Sequence, residues 1–496
     1  MVFTPRTSAR TPVLRSDYAR AMGLGEVDIT ALDPGRLRDV LAPHAVERWG
    51  HTLARGRELL EGRTFWNVNS TAFGGGVAEM LRSLVGYACG AGIDARWVTI
   101  AGDQQFFEIT KRLHNHLHGH DGDGGALADA EGSAYERICT AGAREMVERV
   151  RPQDVVLLHD PQTAGMIPLL KERGVPVIWR CHIGVDPPNE LVRDAWRFLM
   201  PYVAEADGVV FSHPYYVWDE LDRKRVAIIP PSIDAFSPKN QSMSFASVTA
   251  VLRASGLGAG EHHRARAVFE RLDGSVGFVE SRAELIEEQH LRLDVPLLAQ
   301  VSRWDRLKDP QGVIAAFAEY VHAEDDPHLI LAGPDVTAVA DDPEGQTVFE
   351  EVQAMWEAMP RRVRRRVHLA LLPMADADEN ATLVNALQRR ADVVAQKSLA
   401  EGFGLTVSEA MWKGRPVVAS DVGGIGEQIV DGHSGFLVEP NDLAGFGARV
   451  SELLADPYRA ERMGAAAQTR VRELFLGPRH LGQYVEVLED VIGVRA

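Results

Sequence analysis

The chain repeats one pattern from end to end. Short, unbroken apolar runs stop at Gly, Asp, His or Ser, and each is followed by a longer stretch of helical spacing. In the first half the runs are Thr64–Asn69, Arg96–Ile100, Asp154–His159, Pro176–Arg180, Gly208–Ser212 and Val226–Pro230. In the second half they are Pro296–Ser302, His328–Ala332, Val367–Leu371, Ala391–Gln396 and Pro416–Ser420. Runs without polar alternation belong to strands covered on both faces, which is the condition of parallel sheets flanked by helices. Two series therefore predict an α/β chain with two Rossmann-like, doubly wound domains. The expected division is an N-terminal extension over 1–40, a first domain over 41–235, a linker or insertion over 236–294 and a second domain over 295–477. Pro230, Pro231 and Pro238 stiffen the join, and the polar stretch Arg264–Gln289 reads as helix-like. Leu481, Tyr484, Val485, Val487, Leu488, Val491 and Ile492 give His480–Val494 the spacing of an amphipathic closing helix.

Charge narrows the function classes. Against 53 Lys and Arg stand 70 Asp and Glu, a formal net charge of −17 over 496 residues. So acidic a surface argues against nucleic acid or an anionic membrane as a general partner. No apolar stretch is long enough to span a bilayer, and the Arg-bearing start lacks the apolar segment of a secretory signal. Cys89, Cys139 and Cys181 are widely spaced and odd in number, which suits free thiols in a reducing, cytoplasmic setting. The segment His114–Ala126, HNHLHGHDGDGGA, holds four histidines within seven residues. It lacks a zinc-site glutamate pattern and its Gly-rich half reads as a turn, so a solvated loop is expected there, with no metal.

In open α/β sheets ligands bind beyond the carboxyl ends of the strands, and the residues there are unusual. After Ala391–Gln396 comes KSLAEGFGLTVSEAM, with a helix expected from about Leu405 to Trp412. Gly402 and Gly404 allow backbone N–H groups near Phe403 and Leu405 to approach a ligand at the positive end of that helix, as a phosphate or diphosphate requires. Glu401 and Glu409 stand eight apart, placed for the group attached to the phosphate and for a ribose diol. After Pro296–Ser302, Arg303 and Lys308 can converge on a leaving diphosphate. In the first domain Gly74, Gly75 and Gly76 open a helix at about Val77 and form a second anion cradle. The cradle has neither GxGxxG nor P-loop spacing, which weakens a dehydrogenase reading. Strand ends there deliver His159, Asp160 and Gln162, and Arg180, Cys181 and His182, groups suited to a polyhydroxylated ligand.

With WNVNSTAFGGGVAEML, HDPQTAGMIPLL, WRCHIGVDPPN, PPSID, SRWDRLKDPQGVI, QKSLAEGFGLTVSEAMWKGRPVVASDVGG and DGHSGFLV in view, the chain resembles the retaining GT-B glycosyltransferases with a Glu-x7-Glu signature. Among these it is most similar to the trehalose glycosyltransferring synthases and the trehalose phosphorylases, from about position 64 to 440. The resemblance implies two Rossmann-like domains facing a cleft, a last helix (478–496) crossing back to the first domain, and a possible homodimer. It implies that Arg303 and Lys308 hold the diphosphate, aided by N–H groups of Gly402–Leu405 and by Gly74–Gly76. Glu409 would take the ribose, Glu401 the transferred glucose, and His182 a place beside the anomeric carbon. Asn69, Asp103, Asp160 and Gln162 are the acceptor candidates. The implied reaction moves glucose from a nucleoside diphosphate glucose to free glucose, giving α,α-trehalose without a metal or other cofactor. The alternatives are a phosphorylase that makes glucose 1-phosphate from trehalose and phosphate, a nucleotide-sugar transferase with another acceptor, an NAD-dependent oxidoreductase, and an inactive sugar-nucleotide sensor.

Overall fold

The structure is a computed structural model that describes residues 23–72, 75–260, 267–323, 325–336 and 343–493. Two seven-stranded sheets organise it. The first contains β1 (Leu24–Glu26), β2 (Phe65–Asn69), β3 (Ala95–Ile100), β4 (Val155–His159), β5 (Val177–Cys181), β6 (Gly208–Phe211) and β7 (Val226–Ile228), in the order β1-β3-β2-β4-β5-β6-β7. After a two-stranded ribbon, β8 (Val268–Glu270) and β9 (Val276–Phe278), the second sheet contains β10 (Glu284–Ile286), β11 (Leu297–Val301), β12 (His328–Pro334), β13 (Val367–Leu372), β14 (Val393–Gln396), β15 (Val417–Ser420) and β16 (Phe436–Val438). Its order is β10-β13-β12-β11-β14-β15-β16. Within each sheet only the edge strand, β1 or β10, runs antiparallel. Every expected apolar run is a strand, and both series are the parallel, doubly covered sheets that their composition demands.

Each sheet is sealed on two faces. In the first, Val68, Val98, Val156, Leu158 and Trp179 pack on one side, and Val155, Leu157, Ile178 and Val210 on the other. In the second, Ala299, Ile330 and Val394 face one layer and Leu298, Leu329 and Val393 the opposite one. The closing helix, Gly477–Ile492, crosses back as expected and lays Tyr484, Val487 and Leu488 onto the second face of the first sheet. At ~1.5–3 kcal/mol for each buried apolar side chain, that docking amounts to several kcal/mol. The chain thus passes between the halves at two adjacent places: Ile233 bridges Leu476 in parallel, and the Ile233 N–H donates to Phe475 O at 2.9 Å.

Two expectations about the flanks are corrected. Residues 24–40 are not an extension, because β1 pairs with β3 and Leu32 and Leu37 are buried. Residues 1–22 of that span lie outside the described residues. Within 236–294, the described part of Arg264–Gln289 holds the three short strands β8, β9 and β10 joined by turns and irregular segments, and no helix. Its β10 joins β13, and Phe269 and Val279 pack with Val248, Val251 and Leu252 of the helix Phe245–Ala254 into the second domain. Pairing to a neighbouring edge and burial of alternate residues overrode the local polar composition. Among the described residues no helix is long and apolar enough to cross a membrane.

Candidate active site

The second domain supplies one wall at the ends of β11 and β14. Past β14 the chain runs through Lys397–Gly404 into the helix Leu405–Trp412, with the expected bounds. Gly404 caps that helix at φ +82° and ψ 64°, a conformation strained for any residue with a Cβ. The turn is fixed from behind by Gln428. Its amide donates to the carbonyls of Phe403, Gly404 (3.3 Å) and Gly424 (3.3 Å), while its oxygen accepts from Ser408 Oγ at 2.5 Å. The Phe403 ring is turned into the core against Phe475, 5.7 Å away, so Phe403 has only backbone to offer a ligand. Glu401 accepts from Lys308 Nζ at 2.6 Å and lies 3.4 Å from both Gln396 Nε2 and Ser398 Oγ. Lys308 closes the short turn Arg306–Lys308 after β11, and its carbonyl accepts from Gln300 Nε2 at 2.9 Å. Arg303 stands on the rim, its side chain 48% exposed and 3.6 Å from Asp305.

The first domain supplies the opposite wall at the ends of β4 and β5. Asp160 adopts φ +63° and ψ 177°, a region that a non-glycine residue occupies at a cost of about 1–3 kcal/mol and that clusters at functional sites. Its N–H donates to Arg180 O at 2.7 Å, and its Oδ1 accepts the His182 N–H at 2.8 Å. Burial pushes its carboxyl up to about 7, against the pull of that N–H and of Arg180. Arg180 is fully buried. It donates to His480 Nε2 (2.8 Å), Tyr484 Oη (2.6 Å) and Ile229 O (2.8 Å), and its Nε points at His182 Nδ1 (3.4 Å). The His182 Nε2 in turn lies 3.2 Å from His159 Nδ1, and His159 Nε2 lies 3.5 Å from Asn67 Oδ1. Burial and the Arg180 charge hold both imidazoles well below the ordinary histidine range, His159 at about 3. Two neutral rings passing one donor each along Arg180–His182–His159–Asn67 satisfy every step of this relay.

The walls touch. A Cβ on Gly76 would lie 2.7 Å from Leu405 Cδ1, and one on Gly402 would lie 3.0 Å from His182 O. Tyr216 Oη donates to Gly402 O at 2.7 Å, with Glu401 O 3.3 Å away, and His213 Nε2 pairs with Glu427 at 3.2 Å. The main-chain carbonyl of His182, not its ring, therefore faces the glycine turn. Glu409 lies deeper. Its Oε1 is 3.6 Å from Lys239 Nζ, which also bonds Glu79 at 2.6 Å, and its Oε2 is buried without a hydrogen-bond partner. Burial raises the Glu409 carboxyl, Lys239 opposing it. Burial lowers Lys239, but Glu409 and Glu79 outweigh it and hold the ammonium above its ordinary range.

Glu401, Gly402, Gly404, Leu405, Lys308, His182 and Asp160 therefore converge, with Gly75 and Gly76 beside them. Gly74 lies outside the described residues. Two acceptor candidates have partners within the fold. Asn69 is buried inside the fold, donating to Thr71 O and accepting from Trp97 Nε1, both at 2.7 Å. Asp103 caps the helix Gln104–Leu117 through the Phe106 N–H (2.9 Å) and pairs with Arg137 (2.6 Å). Gln162 is half-buried on the short helix after β4. The solvated-loop expectation for His114–Ala126 holds for 119–126, an exposed turn, and is corrected for 114–118. His114 and His116 lie in the helix, and His116 and His118 are buried. Among the described residues no group of three or more His, Cys, Asp or Glu is gathered as metal ligands. Lys239, Tyr216 and Gln428 carried no motif, and only the meeting of distant segments reveals them.

The comparisons agree with this architecture. Residues 67–218 match the family described as trehalose synthase, N-terminal domain, and residues 281–470 match glycosyl transferases group 1. The chain is 36% identical to a trehalose synthase of Pyrococcus horikoshii over 88% of its own length and 92% of the relative's, and 35% identical to one of Rubrobacter xylanophilus over the same shares. A trehalose phosphorylase of Pleurotus pulmonarius is 26% identical over 82% of the chain but only 54% of that protein. Among solved structures, an α,α-trehalose 6-phosphate synthase of Burkholderia multivorans superposes with a TM-score of 0.65 at 16% identity, covering 88% of this chain and 98% of that one. The fold is that of the GT-B glycosyltransferases. By sequence and by architecture, the chain belongs to the trehalose synthase family, a trehalose-related group of hexosyltransferases.

Proposed function

We propose that the protein transfers glucose from a nucleoside diphosphate glucose to the anomeric hydroxyl of free glucose, forming α,α-trehalose with retention. The observation that carries this reading is the Lys308–Glu401 pair beneath the Gly402–Gly404 turn, with the unpartnered Glu409 oxygen buried along the same helix. Arg303 and Lys308 supply positive charge to the departing diphosphate, the task that a divalent cation performs elsewhere. The glycine turn and the helix N-terminus add N–H dipoles. Glu401 orients the transferred sugar, and Glu409 takes a ribose hydroxyl.

In the proposed step the bond from C1 to the phosphate oxygen breaks while the acceptor oxygen attacks C1 from the same face. The acceptor proton passes to the leaving phosphate oxygen. Positive charge develops at C1, where the carbonyl of His182 presents a negative dipole end and the neutral imidazole adds no opposing charge. Asp160, strained and adjacent, is together with Gln162 a candidate for an acceptor hydroxyl. Contact between the walls excludes water and so limits hydrolysis of the donor.

The test is to incubate the protein with glucose and each nucleoside diphosphate glucose, without phosphate, and to quantify trehalose by chromatography. Trehalose from one donor supports the reading and names the base. If the only reaction is release of glucose 1-phosphate from trehalose and phosphate, the chain acts as a phosphorylase and the nucleotide assignment fails.

A further inference from the structure

The histidine-rich segment after β3 reaches the site from a direction that no motif announces. His118 ends the helix Gln104–Leu117, and its ring lies edge-on to His114 with centroids 4.8 Å apart. The side chain is buried, and its Nδ1 has no hydrogen-bond partner. A Cβ on Gly402 would meet His182 O at 3.0 Å and His118 Cε1 at 3.7 Å. The two first-domain residues therefore bracket the same glycine of the second domain, next to Glu401. The charges felt most strongly at the His118 ring are those of Lys308 and Glu401.

We propose that His118, with its ring braced by His114, contacts the transferred sugar and hydrogen-bonds one of its hydroxyls. This rests on the placement of the sugar at Glu401 given above. Burial and the neighbouring Lys308 hold the imidazole at about 4, so it is neutral at physiological pH. A neutral ring offers one donor and one acceptor, which matches a hydroxyl and not a phosphate, for which a cation would serve. Leaving a buried ring nitrogen unpaired is costly in a folded protein, and a substrate hydroxyl would relieve it. A Cβ at 402 would crowd the His182 carbonyl at 3.0 Å and would sit in ordinary contact with the His118 ring at 3.7 Å.

The experiment compares His118→Leu, which keeps bulk but no hydrogen bond, with His118→Gln, which keeps both donor and acceptor. Each is assayed for donor KM, for kcat and for the Kd of the bare nucleoside diphosphate. The expected result for His118→Leu is a donor KM raised about three- to tenfold, the factor for one neutral hydrogen bond, with the bare-diphosphate Kd unchanged. His118→Gln should stay within about threefold of wild type on the same scale. An unchanged KM in His118→Leu would overturn the proposal. So would an equal loss of bare-diphosphate binding, which would make the residue a structural support. If the wild type uses glucose 1-phosphate and no nucleotide donor, the nucleotide reading falls by itself, and the KM comparison on glucose 1-phosphate still decides the role of His118.

Discussion

Glu409 offers the sharpest test of the donor assignment, because one of its oxygens is committed and the other is not. Oε1 is 3.6 Å from Lys239 Nζ, while Oε2 is buried with no partner. A ribose hydroxyl donating to that carboxylate would be a hydrogen bond to a charged group, worth about 1.5–3 kcal/mol. Removing it by Glu409→Ala should weaken nucleoside diphosphate binding roughly 10- to 150-fold. Glu409→Gln keeps the shape and one acceptor but no charge, so its loss should be smaller, about three- to tenfold. Lys239 is also bonded to Glu79 at 2.6 Å, so that pair should survive either substitution. Titration calorimetry with the nucleoside diphosphate and, separately, with inorganic diphosphate reads the effect. Only the first ligand carries a ribose, so only its affinity should fall. Equal losses for both ligands, or none for either, would refute the reasoning and remove the ribose from Glu409.

Three further outcomes are expected. Lys308→Ala should lower kcat/KM by about 100- to 1,000-fold, the scale for losing one preorganised charge on a leaving group, while a chelator leaves wild-type turnover unchanged; activity lost to the chelator and restored by a divalent cation would contradict this. Lys239→Met takes its ammonium away from the buried Glu409, leaving Lys413 as the other nearby cation, and should cost up to ~3–5 kcal/mol of stability in a urea titration; an unchanged midpoint would show that Lys239 does not hold the buried Glu409. Asp160, raised from 3.8 to about 7, stays protonated in the fold while the unfolded chain ionises. It therefore lowers stability as pH rises from about 4 to about 7, by at most ~1.4 kcal/mol per unit, and contributes no slope beyond. His159 and His182, lowered in the fold, act oppositely below about 6.5. The contribution of Asp160 is thus isolated by subtracting the Asp160→Asn curve from wild type, and a flat difference would contradict it.

Both sheets were legible because their strands are buried on two faces and need unbroken apolar runs. Strands without that need escaped notice. β1, β10 and β16 are three residues long and lie at sheet edges, and Glu284–Leu285–Ile286 sits in a polar stretch where pairing, not composition, makes it a strand. In the site, Gly404 and Glu401 could be read because local backbone geometry demands the glycines and the carboxylates sit at fixed spacing. An Asn or Asp after a strand can serve a substrate or its own turn, and the sequence does not show that Asn69 bonds Thr71 and Trp97 or that Asp103 caps a helix. Lys239, Tyr216 and His118 matter through segments 160–300 residues away in the chain, for example the Tyr216 bond to Gly402 at a separation of 186. No local pattern encodes such meetings.

The returning helix has a consequence for how the molecule is made. In chain order the second domain is inserted between the first domain and the element that completes it. When β7 has been synthesised, Val155, Leu157, Ile178 and Val210 have no cover from Tyr484, Val487 and Leu488. At about 5–20 residues per second, the roughly 240 intervening residues delay that cover by on the order of 10–50 s. Through that interval the nascent first domain presents an apolar sheet face to the ribosome exit and to any chaperone waiting there. A truncation between the domains would make that exposure permanent, so the two halves are separable in space but not in biogenesis.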